Sequence, residues 1–206
     1  MSNLDYIFKR KSIRKFKDQG VYHKDLERIL ECGLNAPSAK NMQNWHFVVI
    51  ESKDKIKEIS TIVKDKQEKI VNESQKDALA KSFQSKIRYY TFFENAPVLV
   101  LVYASSYSSQ ITELLSADDL KRFKKADPGI QNIGAAIQNI LLAASSLGYG
   151  TCWMTGPNFA IKEIEEYVAL SKDDFSLVAM TPIGVPAEGR HPSPQKESIN
   201  EKVTFI

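Results

Sequence analysis

Apolar residues fall into short runs whose spacing switches between the helical and the extended period. Leu4, Ile7 and Phe8 recur at helical spacing and predict a short first helix. Leu26, Ile29 and Leu30, closed by Gly33, predict a second over about residues 24–34. Residues 45–50 are aromatic and β-branched and follow the turn-rich loop 35–44, which predicts a strand. Between residues 52 and 88 charges are dense, while Ile56, Ile59, Ile62 and Val63 keep a helical spacing; the pattern predicts two exposed helices. Residues 96–104 are an almost unbroken apolar run opened by Pro97, as expected of a strand covered on both faces. A serine-rich loop follows. Residues 111–123 are predicted helical, with polar flanks that suit a mobile cover.

Residues 128–161 contain no Asp, Glu, Lys or Arg. In their first part Ile130, Ile133, Gly134, Ile137, Leu141, Ala144 and Gly148 share one helical stripe, with Asp127 and Pro128 as a start signal and Gly148 as a stop. The polar pairs Gln131 with Asn132, Gln138 with Asn139 and Ser145 with Ser146 recur every seven residues and form a narrow neutral stripe. Amides in hydrocarbon would each need a partner, so a helix buried in protein, at a subunit interface, is expected rather than a membrane span. Beyond it the pattern predicts a short strand at 150–153, a turn at 154–157, a helix at about 158–169 and a strand at 176–185. The tail from Pro186 ends in Val203, Thr204, Phe205 and Ile206, a strand-like close that needs a sheet to join. The order of elements is not an even βαβ repeat. We therefore expect a single α+β domain over residues 1–206, with a central mixed, mostly antiparallel sheet flanked by helices.

Composition changes this picture little. A chain of 206 residues, 43% apolar and 26% charged, suits one globular domain and excludes a disordered or disulfide-built class. The net charge of +3 is too small to make nucleic acid or an anionic membrane the default partner. Cys32 and Cys152 are too few for a disulfide framework or a four-cysteine metal site, so both are expected as packing thiols in a reducing cytoplasm. His23, His46 and His191 are scattered, with no zinc helix motif and no nucleophile-elbow glycine pattern beside them.

Local charge is more informative. Residues 9–17 carry six cations, Lys9, Arg10, Lys11, Arg14, Lys15 and Lys17, and no acid before Asp18. If the segment is extended, Arg10, Ser12 and Arg14 share a face, and two guanidinium forks around a hydroxyl suit a phosphate with an adjoining polyol. A solvated basic loop has the same composition. In the loop 35–45, Pro37, Ser38, Ala39, Asn41 and Gln43 combine small size with neutral donors and acceptors, which fits a close approach to a ligand as well as a helix cap leading into a strand.

Taken in order, Arg10-Lys11-Ser12-Ile13-Arg14-Lys15-Phe16 and Ala36-Pro37-Ser38-Ala39-Lys40-Asn41-Met42-Gln43-Asn44-Trp45 resemble the amino-terminal signature of the nitroreductase family of flavin enzymes. The resemblance continues through Asn95-Ala96-Pro97, the helix from Ile133, Gly150-Thr151-Cys152-Trp153-Met154-Thr155-Gly156 and Pro182-Ile183-Gly184-Val185-Pro186. It implies an FMN-dependent NAD(P)H oxidoreductase that passes electrons to a nitroaromatic or quinone by a ping-pong route. It also implies an intertwined homodimer whose carboxy-terminal arm, about residues 186–206, crosses to the partner's sheet. Carried over by position, Arg10, Lys11 and Ser12 hold phosphate and ribityl oxygens and Arg14 lies by the ring. Pro37, Ser38, Ala39, Asn41 and Gln43 come from the opposite subunit, and Trp153, Met154, Thr155 and Gly156 face the ring edge. The resemblance assigns no catalytic side chain and no metal.

Three positions depart from the family pattern. Asn44 stands where a proline is usual, which implies a less rigid loop. Arg88 falls near the place of a group that reaches the pyrimidine edge of the ring. In the tail, Gln195 beside Lys196 replaces a phosphate-binding arginine, with Arg190 as a substitute. Tyr107 and Phe123 are candidates to gate the substrate. The same fold also implies relatives with other chemistry, such as dehalogenation, flavin breakdown or a different electron donor.

Overall fold

The computed structural model describes residues 4–189 and 196–206. Four antiparallel strands form its centre: β1 (Trp45–Ile50), β2 (Val98–Ser105), β3 (Gly150–Thr151) and β4 (Phe175–Gly184), in the order β1-β2-β4-β3. Trp45 lies opposite Ala104, and Val98 opposite Ile183, with a bulge between Val102 and Tyr103. The fold is α+β, as expected, and its named strands are antiparallel throughout. The one parallel pairing among the described residues is an isolated bridge between Ser12 and Thr151.

The unbroken apolar run of β2 serves two cores. Val98, Val100, Val102 and Ala104 face helices α2 (His23–Leu34) and α7 (Pro128–Ser146), where they meet Leu26, Ile29, Ile133, Ile137 and Ile140. Leu99, Leu101 and Tyr103 face the other way, toward Ile56, Ile59 and Val63 of α3 (Lys53–Glu73) and Ile164 of α8 (Ile161–Val168). A strand with both faces dry has no polar period to show. Tyr149 fastens the first layer: its hydroxyl donates to Asp25 at 2.7 Å and accepts from the Tyr22 amide at 3.3 Å.

Segment 52–88 corrects the expected pair of exposed helices. It holds the two expected helices, α3 and α4 (Asp77–Gln84), with α5 (Ile87–Thr91) starting at its end, but α3 is not simply exposed: it buries Ile56, Ile59, Ser60, Val63 and Gln67. The Gln67 amide donates to the Phe83 carbonyl at 2.7 Å and binds α4 back onto α3. The expected helix at 111–123 is divided. A single 3-10 turn at Gln110–Glu113 precedes α6 (Ala117–Ala126), because the Ser116 hydroxyl accepts from the Asp119 amide and starts a new helix there. The segment 158–169 opens with a 3-10 turn, Gly156–Ala160, before α8.

Helix α7 follows its sequence signals. Asp127 caps it by accepting from the Ile130 amide at 3.1 Å, Pro128 opens it, and Gly148 follows its end at φ +85°. No helix among the described residues is long and apolar enough to cross a membrane. In the tail, a capping box of Ser198 and Glu201 starts α9 (Ile199–Lys202), and residues 203–206 are exposed and join no strand among the described residues.

Candidate functional site

The basic segment after α1 (Asp5–Lys9) is extended, and the backbone holds it at both ends. The Ile13 amide donates to the Thr151 carbonyl at 2.8 Å. Further on, the Ala187 amide donates to Lys15 O at 3.0 Å and the Lys17 amide to Val185 O at 2.8 Å. Ile13 is the buried anchor between these points. A Cβ on Gly150 would stand 2.6 Å from its side chain, so the segment reaches the sheet edge only because residue 150 has none. Alternation then turns Ser12 and Arg14 inward.

They face a cavity of about 760 Å³, lined by Ser12, Arg14, Lys15, Arg88, Tyr89, Tyr90, Phe92 and residues 152–156. Of the sequence-predicted residues the structure thus brings together Ser12, Arg14, Arg88, Trp153, Met154, Thr155 and Gly156. Its wall carries three cations and no carboxylate. Two of the cations rest on rings: Arg14 lies 6.0 Å from the Phe92 centroid, and Arg88 lies 4.9 Å from that of Tyr89 while donating to its hydroxyl at 3.0 Å. Behind them Phe159 meets Tyr90 and Phe83 edge to face while Phe83 and Tyr90 are tilted to one another, and a Cβ on Gly156 would meet the Tyr90 ring at 2.7 Å.

Cys152 sits at the inner end of this wall, almost wholly buried. Burial pushes its thiol up, against the opposing pull of Arg14, a hydrogen bond with Ser12, and Arg10. That pull brings Arg10, itself half-buried at the end of α1, into the same electrostatic environment although it does not line the cavity. Lys11 and Lys196 are exposed and also lie off the wall. Arg190, Gln195 and His191 lie outside the described residues. Lys15, Tyr89, Tyr90, Phe92 and Cys152 were missed as site residues. The basic run and the Tyr-Tyr pair beside Arg88 were the available signals for three of them, Lys15, Tyr89 and Tyr90.

The loop of Pro37, Ser38, Ala39, Asn41 and Gln43 is gathered elsewhere, around the start of α7. Lys40, Asn41 and Gln43 all take left-handed conformations, with φ of 54°, 53° and 46°. Such backbone is strained for non-glycine residues and persists only where neighbours hold it. Here the Gln43 amide donates to Ser38 Oγ at 3.1 Å, and the Ala39 amide to Asn132 Oδ1 at 2.9 Å. Asn132 Nδ2 donates in turn to Asn44 Oδ1 at 2.8 Å, and Asn44 Nδ2 donates to the Ser105 carbonyl at 3.0 Å. Asn44 is only 3% exposed. The expectation of a looser loop at this residue is therefore corrected: the amide makes bonds to β2 and α7 that a proline has no groups to make.

Tyr107 and Phe123 line a second, separate cavity. Both cysteines are free thiols, and among the described residues no group of His, Cys, Asp and Glu is placed to hold a metal ion.

With this geometry established, a model of the nitroreductase family matches residues 7–185. Among solved structures, a BluB-like flavoprotein from Clostridium difficile 630 superposes with a TM-score of 0.91 at 38% identity, covering 100% of this chain and 99% of that one. A protein named putative NADH dehydrogenase/NAD(P)H nitroreductase, from Methanothermobacter thermautotrophicus, is 28% identical over 91% of this chain and 79% of its own length. An iodotyrosine deiodinase from Thermotoga neapolitana is 27% identical over 98% of this chain and 97% of its own. Nitroreductases solved with bound FMN share the fold at 23% and 20% identity, each with a TM-score of 0.74.

Proposed function

The chain belongs to the nitroreductase family, and from that premise we propose that it is an FMN-dependent oxidoreductase. In this reading NADH or NADPH is the electron donor, a small nitroaromatic or quinone the acceptor, and two copies of the chain build each site. The observation that carries it is the wall of the first cavity, where cations and aromatic rings enclose about 760 Å³ without a carboxylate. FMN is flat, tricyclic and anionic, and this wall complements it in size, in ring surface and in charge. Bound there, FMN would supply two-electron chemistry, taking hydride from the nicotinamide and yielding electrons to an acceptor that arrives after the nicotinamide has left.

The chain's own residues bind and orient. Arg10, Lys11 and Ser12 would hold the phosphate and ribityl oxygens, with Lys196 and Arg190 of the tail as further phosphate cations. Arg14 keeps a fixed positive charge where negative charge gathers on reduction, which raises the potential of whatever it holds. The turn at Thr155 and Gly156 opens a 3-10 helix, so its first amides lack intrahelical partners and can orient a ring nitrogen. Arg88 would border the pyrimidine edge. None of these residues needs to move a proton, and the Cys152 thiol, kept neutral by burial, adds no charge of its own.

Pro37, Ser38, Ala39, Asn41 and Gln43 would enter from the second subunit. Two features support a dimer. The charge-free α7 leaves Ile130 50% exposed, and the tail leaves Phe205 85% exposed. Both are apolar surfaces left uncovered by the described residues of this chain.

The test is the visible spectrum of freshly purified protein, followed under exclusion of oxygen as NADH or NADPH is added. A bound flavin bleached by either nicotinamide, with parallel lines in two-substrate kinetics, is expected. A colourless protein that takes up no FMN in excess overturns the reading. A second reading keeps the cofactor and changes the acceptor to a halogenated aromatic; it is favoured by the likeness to a deiodinase over nearly both whole chains. Bound flavin that neither nicotinamide bleaches would support it.

A further inference from the structure

The second cavity, of about 460 Å³, shares no lining residue with the first. It lies between the end of β2, the 3-10 turn after it, α6 and the start of α7, and its aromatic surface comes from Tyr107 and Phe123. Its polar wall contains one arrangement that no element of the fold requires. Ser109 is 9% exposed, and its hydroxyl oxygen accepts from the Lys40 ammonium at 3.3 Å. A hydroxyl that accepts from an ammonium keeps its own hydrogen to donate. The neighbouring Thr112 hydroxyl is already committed to the Ser109 carbonyl at 2.6 Å.

Lys40 has no carboxylate partner among the described residues. Its backbone is held at φ 54°, a conformation strained for lysine, while the loop around it is tied to α7 through Asn132. The strained loop therefore sets a cation without an ion-pair partner among the described residues against the buried hydroxyl of Ser109, which lines an aromatic cavity. Lys124 is the one cation among the lining residues, and Lys40 adds its charge from outside the wall through Ser109. Two acids also line it: Asp127 is engaged as the cap of α7, and Glu113 is exposed in the 3-10 turn.

We propose that this cavity receives the ring of a small aromatic acid, whose carboxylate is taken by the Lys40 ammonium together with the Ser109 hydroxyl. The ring lies against Tyr107 and Phe123, which supply apolar area, and the two donors supply a charge-assisted pair for one oxygen. As to role, an acid whose ring also bears a nitro group is the electron acceptor, the nitro group taking two electrons from the reduced flavin and two protons to give a nitroso group and water; this rests on the flavin reading, because Lys40 belongs to the loop proposed to enter the neighbouring subunit's site. The binding itself does not depend on it.

Calorimetric titration of the purified full-length protein with 4-nitrobenzoate and with 4-nitrobenzamide separates the terms, since the two probes share a ring and differ in charge. The wild-type protein is expected to bind the acid about tenfold more tightly, equivalent to about 1.4 kcal/mol. K40M should bring the two probes within about twofold of each other, and S109A should weaken the acid alone. F123A should weaken both by the same factor. Equal binding of acid and amide by the wild type overturns the proposal. So does a preference that survives K40M, which would put the carboxylate on another cation, Lys124 of this wall or Arg14 or Lys15 of the first cavity. Flavin content and bleaching are recorded on the same samples. Flavin that is bound and bleached, without any preference for the acid, overturns this inference and leaves the flavin reading standing. A colourless protein that still prefers the acid through Lys40 supports the cavity and overturns the flavin reading.

Discussion

Asn132→Ala removes the centre of the chain of amides that holds the strained loop. The side chain is 5% exposed and makes two bonds, accepting from the Ala39 amide at 2.9 Å and donating to Asn44 Oδ1 at 2.8 Å. Truncation leaves both partners unpaired, at about 1–3 kcal/mol for each one that stays dry. Asn44 is 3% exposed and bears the full penalty, whereas Ala39 is half-buried and recovers part of its loss from water. Alanine favours a helix over asparagine by about 0.5 kcal/mol, which offsets a little. The balance is a loss of about 2–3 kcal/mol. Asn44→Ala breaks the same link from the other side, so the double variant should fall short of the sum of the singles by about 1 kcal/mol. Urea unfolding at one fixed protein concentration measures all four corners of the cycle, and fixing the concentration keeps any subunit association constant. A single-variant loss below about 0.5 kcal/mol, or two losses that simply add, refutes the network. The variant also bears on the proposal of a site shared between subunits, since Asn132 does not line the first cavity. Weaker FMN retention in Asn132→Ala is expected if the loop it anchors closes over a neighbour's flavin.

Arg10→Ala should weaken FMN retention by about 1.5–3 kcal/mol, the scale of a hydrogen bond to a charged group, as read by equilibrium dialysis of the cofactor; unchanged retention removes the phosphate role. Arg14→Ala should lower the flavin potential with little loss of fold, and a redox titration without a shift removes that assignment. Gly156→Ala places a methyl 2.7 Å from the Tyr90 ring, which Phe83 and Phe159 hold with centroids 5.7 and 5.4 Å away, so a cost of about 1–3 kcal/mol in urea unfolding is expected. Tyr103 has its hydroxyl pushed up to about 12 by burial first and by the negative charge of Glu165 second. A tyrosine raised in the folded state keeps its stabilising contribution below the unfolded value of about 10 and loses it as pH climbs toward 12. Stability measured from pH 9 to 12 should therefore decline less steeply in Tyr103→Phe. At neutral pH that variant should be within about 0.5 kcal/mol of wild type, because the hydroxyl has no hydrogen-bond partner among the described residues.

The contrast between β2 and the loop before β1 shows what a sequence carries on its surface. The apolar run of β2 and the charge-free α7 were legible because burial there is a property of each residue taken singly, and hydrophobicity records it directly. The cationic segment was legible for a related reason: once extended, alternation alone decides that Ser12 and Arg14 share a face. The arrangement within 52–88 and 111–123 was less legible: the break before α6 rests on the Ser116 cap, and α4 is tied back onto α3 by a bond from the Gln67 side chain to a carbonyl sixteen residues on.

The loop of residues 37–44 was the least legible, and for a different reason. Lys40, Asn41 and Gln43 each hold φ between 46° and 54°, yet none is a glycine, so the composition that marks a turn-rich loop does not announce this backbone. What makes it affordable is contact with partners far along the chain: Asn132 for the Ala39 amide, Ser105 for Asn44, Ser109 for Lys40. Each of those partners is an ordinary polar residue in its own segment. Their meaning is pairwise, and it comes into being only when β2 and α7 bring them to one place. Asn44 makes the point most directly, since reading it as a missing proline suggests slack, whereas its buried amide joins three segments. A loop that spends buried hydrogen bonds to hold backbone strain is one whose position is specified, and the cation it positions is Lys40.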